Sequence, residues 1–129
     1  GVWSSSCQLA ISDKYLGDWG TTVRQLQPGE VVSDPIEALS VMDIMKMSGL
    51  STIDFMKIDV EGSEKVVFAS PDAAAWVSRC RMISCELHDR IVPGCSEAVH
   101  SVLANGFDKH KHGEYEYYVN RRFDLPLFI

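Results

Sequence analysis

The first part of the chain alternates apolar and polar residues in a pattern typical of β structure. Residues 2–11 are rich in serine and are a poor helix candidate, and residues 21–26 alternate as in a half-buried strand. The turn-forming residues 17–20 separate the two segments, and a Pro-Gly pair follows the second one. We therefore predict two strands within residues 1–36 that pair as an antiparallel hairpin or form a β excursion.

From residue 37 onward, helical and extended patterns alternate. Ser40 and Asp43 resemble a capping box in front of an apolar run, and Gly49 follows that run, so a helix is expected there. Further helices are predicted after Gly62 and behind the caps Ser70 and Ser96, and strands at residues 53–59, 81–88, 107–112 and 115–120. Strands that alternate with helices favour an α/β fold with a mostly parallel sheet, which the last two strands close as an antiparallel hairpin. The first two of these strands should be parallel neighbours.

The composition is that of an ordinary globular domain. The 129 residues carry a net charge of −6 and are 46% hydrophobic, which excludes intrinsic disorder and provides for a core. An acidic chain lacks the basic surface that nucleic-acid binding needs. Apolar runs stay far below the roughly 20 residues of a membrane span. We therefore expect one cytoplasmic domain over residues 1–129, with no nucleic acid and no membrane as partner.

No two of the four cysteines form a Cys-x-x-Cys pair, which argues against a zinc knuckle or a thioredoxin-type site. No secretory signal precedes them in these residues, so we predict free thiols that pack as small apolar side chains.

Ionisable residues follow two of the predicted strands at the point where each strand ends. Asp59 is followed by Glu61 and Glu64, and the later strand ends in Glu86 and His88. In an open parallel α/β sheet, ligands bind outside the carboxyl ends of the strands. If the two strands are neighbours, Asp59, Glu61, Glu86 and His88 meet at one rim, which is our candidate functional site.

A carboxylate beside a histidine suits general-base chemistry, because it orients one tautomer of the ring and stabilises the protonated form. The same carboxylates could bind a divalent cation through their oxygens. No loop of closely spaced carboxylates of the calcium type is present, so the sequence alone favours a site without metal.

Residues 53–64, which read IDFMKIDVEGSE, resemble the signature of FkbM-type methyltransferases. Residues 84–89, SCELHD, resemble the next strand of that family, in which Glu and His recur. Residues 38–43, ALSVMD, resemble the short strand and helix that lead into the signature.

The resemblance implies an S-adenosylmethionine-dependent enzyme that methylates hydroxyl oxygens of sugars and secondary metabolites. It implies the class I methyltransferase fold, a Rossmann-like three-layer arrangement whose seven-stranded sheet has an antiparallel last strand. Residues 53–59 would be its fourth strand, residues 82–88 its fifth, and the closing hairpin its sixth and seventh. His88 or Asp59 would be the base toward the acceptor hydroxyl. Glu61, Glu86 and Glu64 would bind the substrate or position the histidine.

The family's glycine-rich cofactor turn and its acidic ribose-binding residue have no counterpart in these 129 residues. The resemblance is therefore to the C-terminal half of the enzyme, with the first strands missing and the cofactor-binding residues unassigned. Residues 1–36 would be a β excursion and residues 37–129 the α/β half. The alternative is a non-catalytic interaction domain that retains part of the fold. In either case an open sheet edge would favour a homodimer.

Overall fold

The computed structural model describes residues 1–13 and 21–124, so the turn predicted at residues 17–20 lies outside it. The elements follow in the order β1 Cys7–Asp13, β2 Thr22–Gln25, β3 Ile36–Ala38, α1 Val41–Ser48, β4 Ile53–Ile58, α2 Glu64–Phe68, α3 Ala73–Val77, β5 Cys80–Glu86, α4 Cys95–Leu103, β6 Phe107–His112 and β7 Tyr115–Asn120. None of the described helices is long and apolar enough to cross a membrane.

The first sheet has three antiparallel strands in the order β2-β1-β3. Leu9 of β1 pairs with Gln25 on one side and with Ile36 on the other, so β1 is the central strand. The antiparallel hairpin predicted for the N-terminal segment is confirmed, and β3 adds a third strand to it. Trp3 and Leu9 pack with Ala38 in a small core of their own.

The second sheet has four strands in the order β4-β5-β7-β6. β4 and β5 are parallel neighbours, with Ile53 opposite Cys80 and Ile58 opposite Cys85, as the sequence predicts. The predicted closing hairpin is confirmed as well, and it is β7 that pairs antiparallel with β5. The fold is thus α/β, with an antiparallel first sheet and a mixed second sheet.

The prediction of a mostly parallel sheet is wrong, because β4 and β5 are the single parallel strand pair among the described residues. Parallel neighbours need a crossover connection, and the segment between β4 and β5 supplies one with α2 and α3. The β6–β7 turn has two residues, which is too short for a parallel pairing and suits an antiparallel hairpin.

The helix α1 begins and ends as its sequence predicts. The Asp43 amide donates to Ser40 Oγ at 3.0 Å and the Ser40 amide donates to Asp43 Oδ2 at 3.3 Å, which completes a capping box. Gly49 closes the helix with a φ of 67°, a left-handed conformation that glycine adopts without steric cost.

Two other predicted caps are wrong. α3 begins after Asp72 rather than behind Ser70, and no side chain caps it. α4 begins after Gly94, and Ser96 lies within its first turn. The Ser96 amide donates a hydrogen bond to Asp89 Oδ2 at 3.0 Å. Asp89, which lies in the loop before α4, therefore acts as the capping side chain of this helix.

The main core lies around β4 and β5, with α2 and α4 in contact with each other. Ile83 and Val99 are fully buried within it, and Phe68 meets Trp76 edge to face with their ring centroids 5.1 Å apart. This packing holds the ends of β4 and β5 in a fixed relation, and those ends carry the candidate site.

Candidate active-site cluster

A tight turn follows β4 and places two carboxylates at its outer side. Asp59 comes directly after the strand, and Glu61 has a φ of 49°, a left-handed conformation that side chains other than glycine and asparagine rarely adopt. Gly62 follows with a φ of 99°. The backbone of the turn is therefore in a conformation of elevated energy at Glu61.

Glu64 fixes this turn from within. It is fully buried, and its carboxylate accepts hydrogen bonds from the Val60 amide at 3.2 Å and from the Gly62 amide at 3.1 Å. Glu64 is also the first residue of α2. One buried side chain thus ties the start of a helix to the turn that carries Asp59 and Glu61.

His88 lies two residues beyond the end of β5 and is 2% exposed. Its Nδ1 is 3.0 Å from Glu64 Oε1. Because an ionised carboxylate can only accept, this contact places a proton on Nδ1. In the neutral ring, Nε2 is then the unprotonated nitrogen.

Three further carboxylates surround His88 Nε2. Glu86 Oε1 lies at 3.5 Å, Glu61 Oε2 at 3.6 Å and Asp59 Oδ1 at 3.9 Å. Their side chains are partly exposed, whereas the ring is buried, so the cluster is closed behind His88 and open in front of it. A ligand would reach Nε2 from the side of these three carboxylates.

The second oxygen of Asp59 is engaged by two residues that the sequence analysis did not select. Lys57 Nζ lies 3.2 Å from Asp59 Oδ2, and the Tyr115 hydroxyl donates to the same oxygen at 3.2 Å. The hydrogen bond to Tyr115 and the contact with Asp59 raise the pKa of Lys57, so its ammonium stays charged. Lys57 could have been found from its spacing, since residues two apart share a strand face. Tyr115 could not, because β7 brings it there from far along the chain.

The predicted site residues are therefore brought together, but not all in the same role. Asp59, Glu61 and Glu86 face Nε2 and the open side. Glu64 lies behind the ring with no exposed surface, which does not fit the substrate contact predicted for it and fits a residue that positions His88. Asp89, beside His88 in sequence, instead binds the start of α4, and the Ser96 hydroxyl lowers the pKa of Asp89.

The cysteines do not contribute a nucleophile to this cluster. All four are free thiols, as predicted, and three of them are buried. Burial raises the pKa of Cys80 to about 12 and that of Cys95 to about 11, so both stay protonated near neutral pH. A protonated thiol is a poor nucleophile.

The model of the methyltransferase FkbM domain matches residues 4–121 of this 129-residue chain. No curated protein and no solved structure matches the chain. The matched region contains the whole Asp59-to-His88 cluster and both sheets, and it confirms the resemblance seen in residues 53–64. The chain belongs to the FkbM methyltransferase domain family.

Proposed function

We propose that this protein is an S-adenosylmethionine-dependent O-methyltransferase whose acceptor is a hydroxyl of a sugar or a secondary metabolite. Membership of the family supports methyl transfer as the reaction. The observation that carries the hydroxyl acceptor is the orientation of His88. Its buried ring is fixed through Nδ1, and its other nitrogen faces the open side of the cluster.

A hydroxyl oxygen has to lose its proton as it attacks a methyl carbon, and His88 Nε2 is placed to take that proton. The imidazolium that results would lie beside the carboxylates of Glu61 and Glu86, which stabilise a positive ring. Asp59 is the second candidate base, because its Oδ1 faces the same space. A positioned base of this kind contributes about 10²–10⁴-fold to a rate.

S-adenosylmethionine, when bound, supplies a methyl group on a positively charged sulfur. The partly exposed carboxylates of Asp59, Glu61 and Glu86 are compatible with a cationic donor nearby. The chain's own contribution would be to hold the acceptor hydroxyl against His88 Nε2 and to accept its proton. Alignment of the acceptor with the donor supplies much of the remaining rate.

The test is methyl transfer from methyl-labelled S-adenosylmethionine into a metabolite extract of the source cells. The protein should label a small molecule as a methyl ether, which survives mild alkali. His88→Gln should lower the labelling by about 10²–10⁴-fold. His110→Gln makes the same change at an exposed histidine of β6 and should leave it unchanged.

Asp59→Asn is a second variant in case His88→Gln does not fold, because Asp59 lies on the surface and its replacement should leave the fold intact. It should lower the labelling while the far-ultraviolet circular dichroism stays that of the wild type. Label that mild alkali releases, or label on nitrogen, would overturn the hydroxyl acceptor. A folded protein that binds S-adenosylmethionine but labels no small molecule would favour the non-catalytic interaction domain instead.

A further inference from the structure

The cluster around His88 holds more negative than positive charge. Four carboxylates, those of Asp59, Glu61, Glu64 and Glu86, lie 3.0 to 3.9 Å from a ring nitrogen of His88. Among the described residues, Lys57 is the ammonium that contacts any of them. Even with a protonated ring, negative charges remain in excess. Like charges at this spacing repel, so a further cation at the open side would stabilise the cluster.

The His88 ring is also arranged as it is in metal sites. It is 2% exposed, and its Nε2 is directed into the cluster, where three carboxylate oxygens lie 3.5 to 3.9 Å from it. Its Nδ1 pairs with the buried carboxylate of Glu64. A histidine that binds a metal through one nitrogen almost always gives the proton of its other nitrogen to a carboxylate or a carbonyl.

The distances match an ion placed between three donors. One ligand atom each from Asp59, Glu61 and His88 lie within 4.8 Å of one another. Two atoms that share an ion at about 2.1 Å are about 3.4 Å apart at a tetrahedral angle. His88 Nε2 is 3.6 Å from Glu61 Oε2 and 3.9 Å from Asp59 Oδ1, so both carboxylate oxygens lie close to the spacing from the ring nitrogen that a shared ion requires.

We propose that Asp59, Glu61 and His88 Nε2 bind a divalent transition-metal cation, with Glu64 as the buried carboxylate that orients the ring. A nitrogen and two carboxylate oxygens suit such an ion better than calcium, which takes oxygen ligands. The sequence alone favoured a site without metal, because the three ligands come from two separated strand ends.

This cation site deepens the proposed function. Its role in the reaction rests on that function, whereas its existence does not. Three protein ligands leave coordination positions open, and an acceptor hydroxyl bound there would release its proton more readily. With Nε2 occupied by the ion, Glu86 would be the carboxylate left beside the open positions, with its Oε1 3.5 Å from the same nitrogen. His88 would then be a ligand rather than the base.

Titration of the metal-free protein with Mn²⁺, followed by electron paramagnetic resonance of the aqueous ion, tests the site. The wild type should bind one Mn²⁺ per chain. Glu61→Gln and Asp59→Asn, both at the partly exposed side of the cluster, should each weaken binding by about 10-fold or more. Glu114→Gln removes an exposed carboxylate at the hairpin turn and should leave the affinity unchanged. Nitrogen hyperfine coupling to bound Mn²⁺ should be present in the wild type and absent in His88→Gln.

Two results would overturn the cation site. One is an absence of binding by a folded wild-type protein. The other is Mn²⁺ binding from which Ca²⁺ displaces the ion as readily as a transition metal does, and which all four variants weaken to the same extent. A diffuse acidic surface would give that result. The titration contains no methyl donor, so its failure would leave methyl transfer with His88 as base intact. Normal Mn²⁺ binding by a chain that transfers no methyl group would overturn the function and keep the site.

Discussion

At the scale of single residues, His88 connects the end of β5 with the turn between β4 and α2 through side-chain contacts. Its Nδ1 contacts Glu64 of α2, and its Nε2 faces Glu86 from the end of β5 and Glu61 from the turn after β4. Because Glu64 also accepts from the amides of that turn, a movement of the turn would shift the ring and the carboxylates together. The distances within the cluster are therefore set by buried polar contacts rather than by exposed side chains.

Glu116, on β7 next to Tyr115, offers a pH-dependent test of a second buried carboxylate. Burial by itself raises its pKa, but hydrogen bonds with Lys109, Tyr118 and His100 outweigh that effect and lower the pKa from 4.5 to about 2. Lys109 Nζ and His100 Nε2 each lie 2.7 Å from its carboxylate. A carboxyl whose pKa is lower in the folded protein stabilises the fold above its unfolded pKa. That stabilisation is lost as the pH falls from about 4.5 toward about 2.

Glu116→Gln should therefore lower the free energy of unfolding at pH 7 and flatten its decline below pH 4.5, as measured by urea denaturation across pH. Glu30 is the comparison, because the hydrogen bond from Arg24 also lowers its pKa to about 2, but at the protein surface. Its effect should shrink in about 1 M salt, whereas that of Glu116 should persist. Equal loss of both effects in salt would contradict a buried pair at Glu116.

At the scale of elements, the turn between β4 and α2 depends on the loop that follows His88. The amides of Ile91 and Val92 both donate to the His88 carbonyl at 2.9 Å, so the chain reverses there. Val92 then packs on Gly62, where an added Cβ would lie 2.5 Å from Val92 Cγ2. The two segments that carry the cluster thus touch at a position where only glycine fits.

Gly62→Ala should destabilise the fold by roughly 2–5 kcal/mol, the sum of a left-handed conformation and a clash with Val92. Gly106→Ala is the matched control, because Gly106 has a φ of 98° but nothing within 4 Å of the added Cβ. It should cost about 1–2 kcal/mol. Both values come from urea denaturation, and the double variant Gly62→Ala with Val92→Ala should recover part of the larger loss. Equal losses at the two glycines would show that the contact with Val92 does not matter.

At the scale of the whole molecule, the sequence predicted the elements and the meeting of two strand ends, but not the proportion of parallel strands. The capping box at Ser40 and the hairpin turn at Gly113 depend on residues a few positions apart, and both are present. The prediction of a mostly parallel sheet is wrong, because the other neighbour of β5 is the antiparallel β7, and the sequence of β5 does not show which strand packs beside it. The strand ends predicted the carboxylates around His88. The burial of Glu64 was not visible, since its partners are main-chain amides that no sequence pattern displays.

The outer edge of β4 is where we expect the molecule to meet a second copy of itself. β4 is the last strand of its sheet within the described part of the chain, and Phe55 on it is 55% exposed. A strand edge with free amides and carbonyls pairs readily with another strand, and a two-fold antiparallel pairing centred on Phe55 would place the two phenyl rings opposite each other.

Sedimentation velocity should therefore show a concentration-dependent dimer. Phe55→Lys should weaken the dimer by 10-fold or more, on the order of the 1.4 kcal/mol that a tenfold change represents, because a lysine at a strand edge opposes pairing. Met47→Lys makes a comparable change on α1, where Met47 is 74% exposed, and should leave the association unchanged. A wild type that stays monomeric at all concentrations, or a dimer that both variants weaken equally, would rule out pairing through β4.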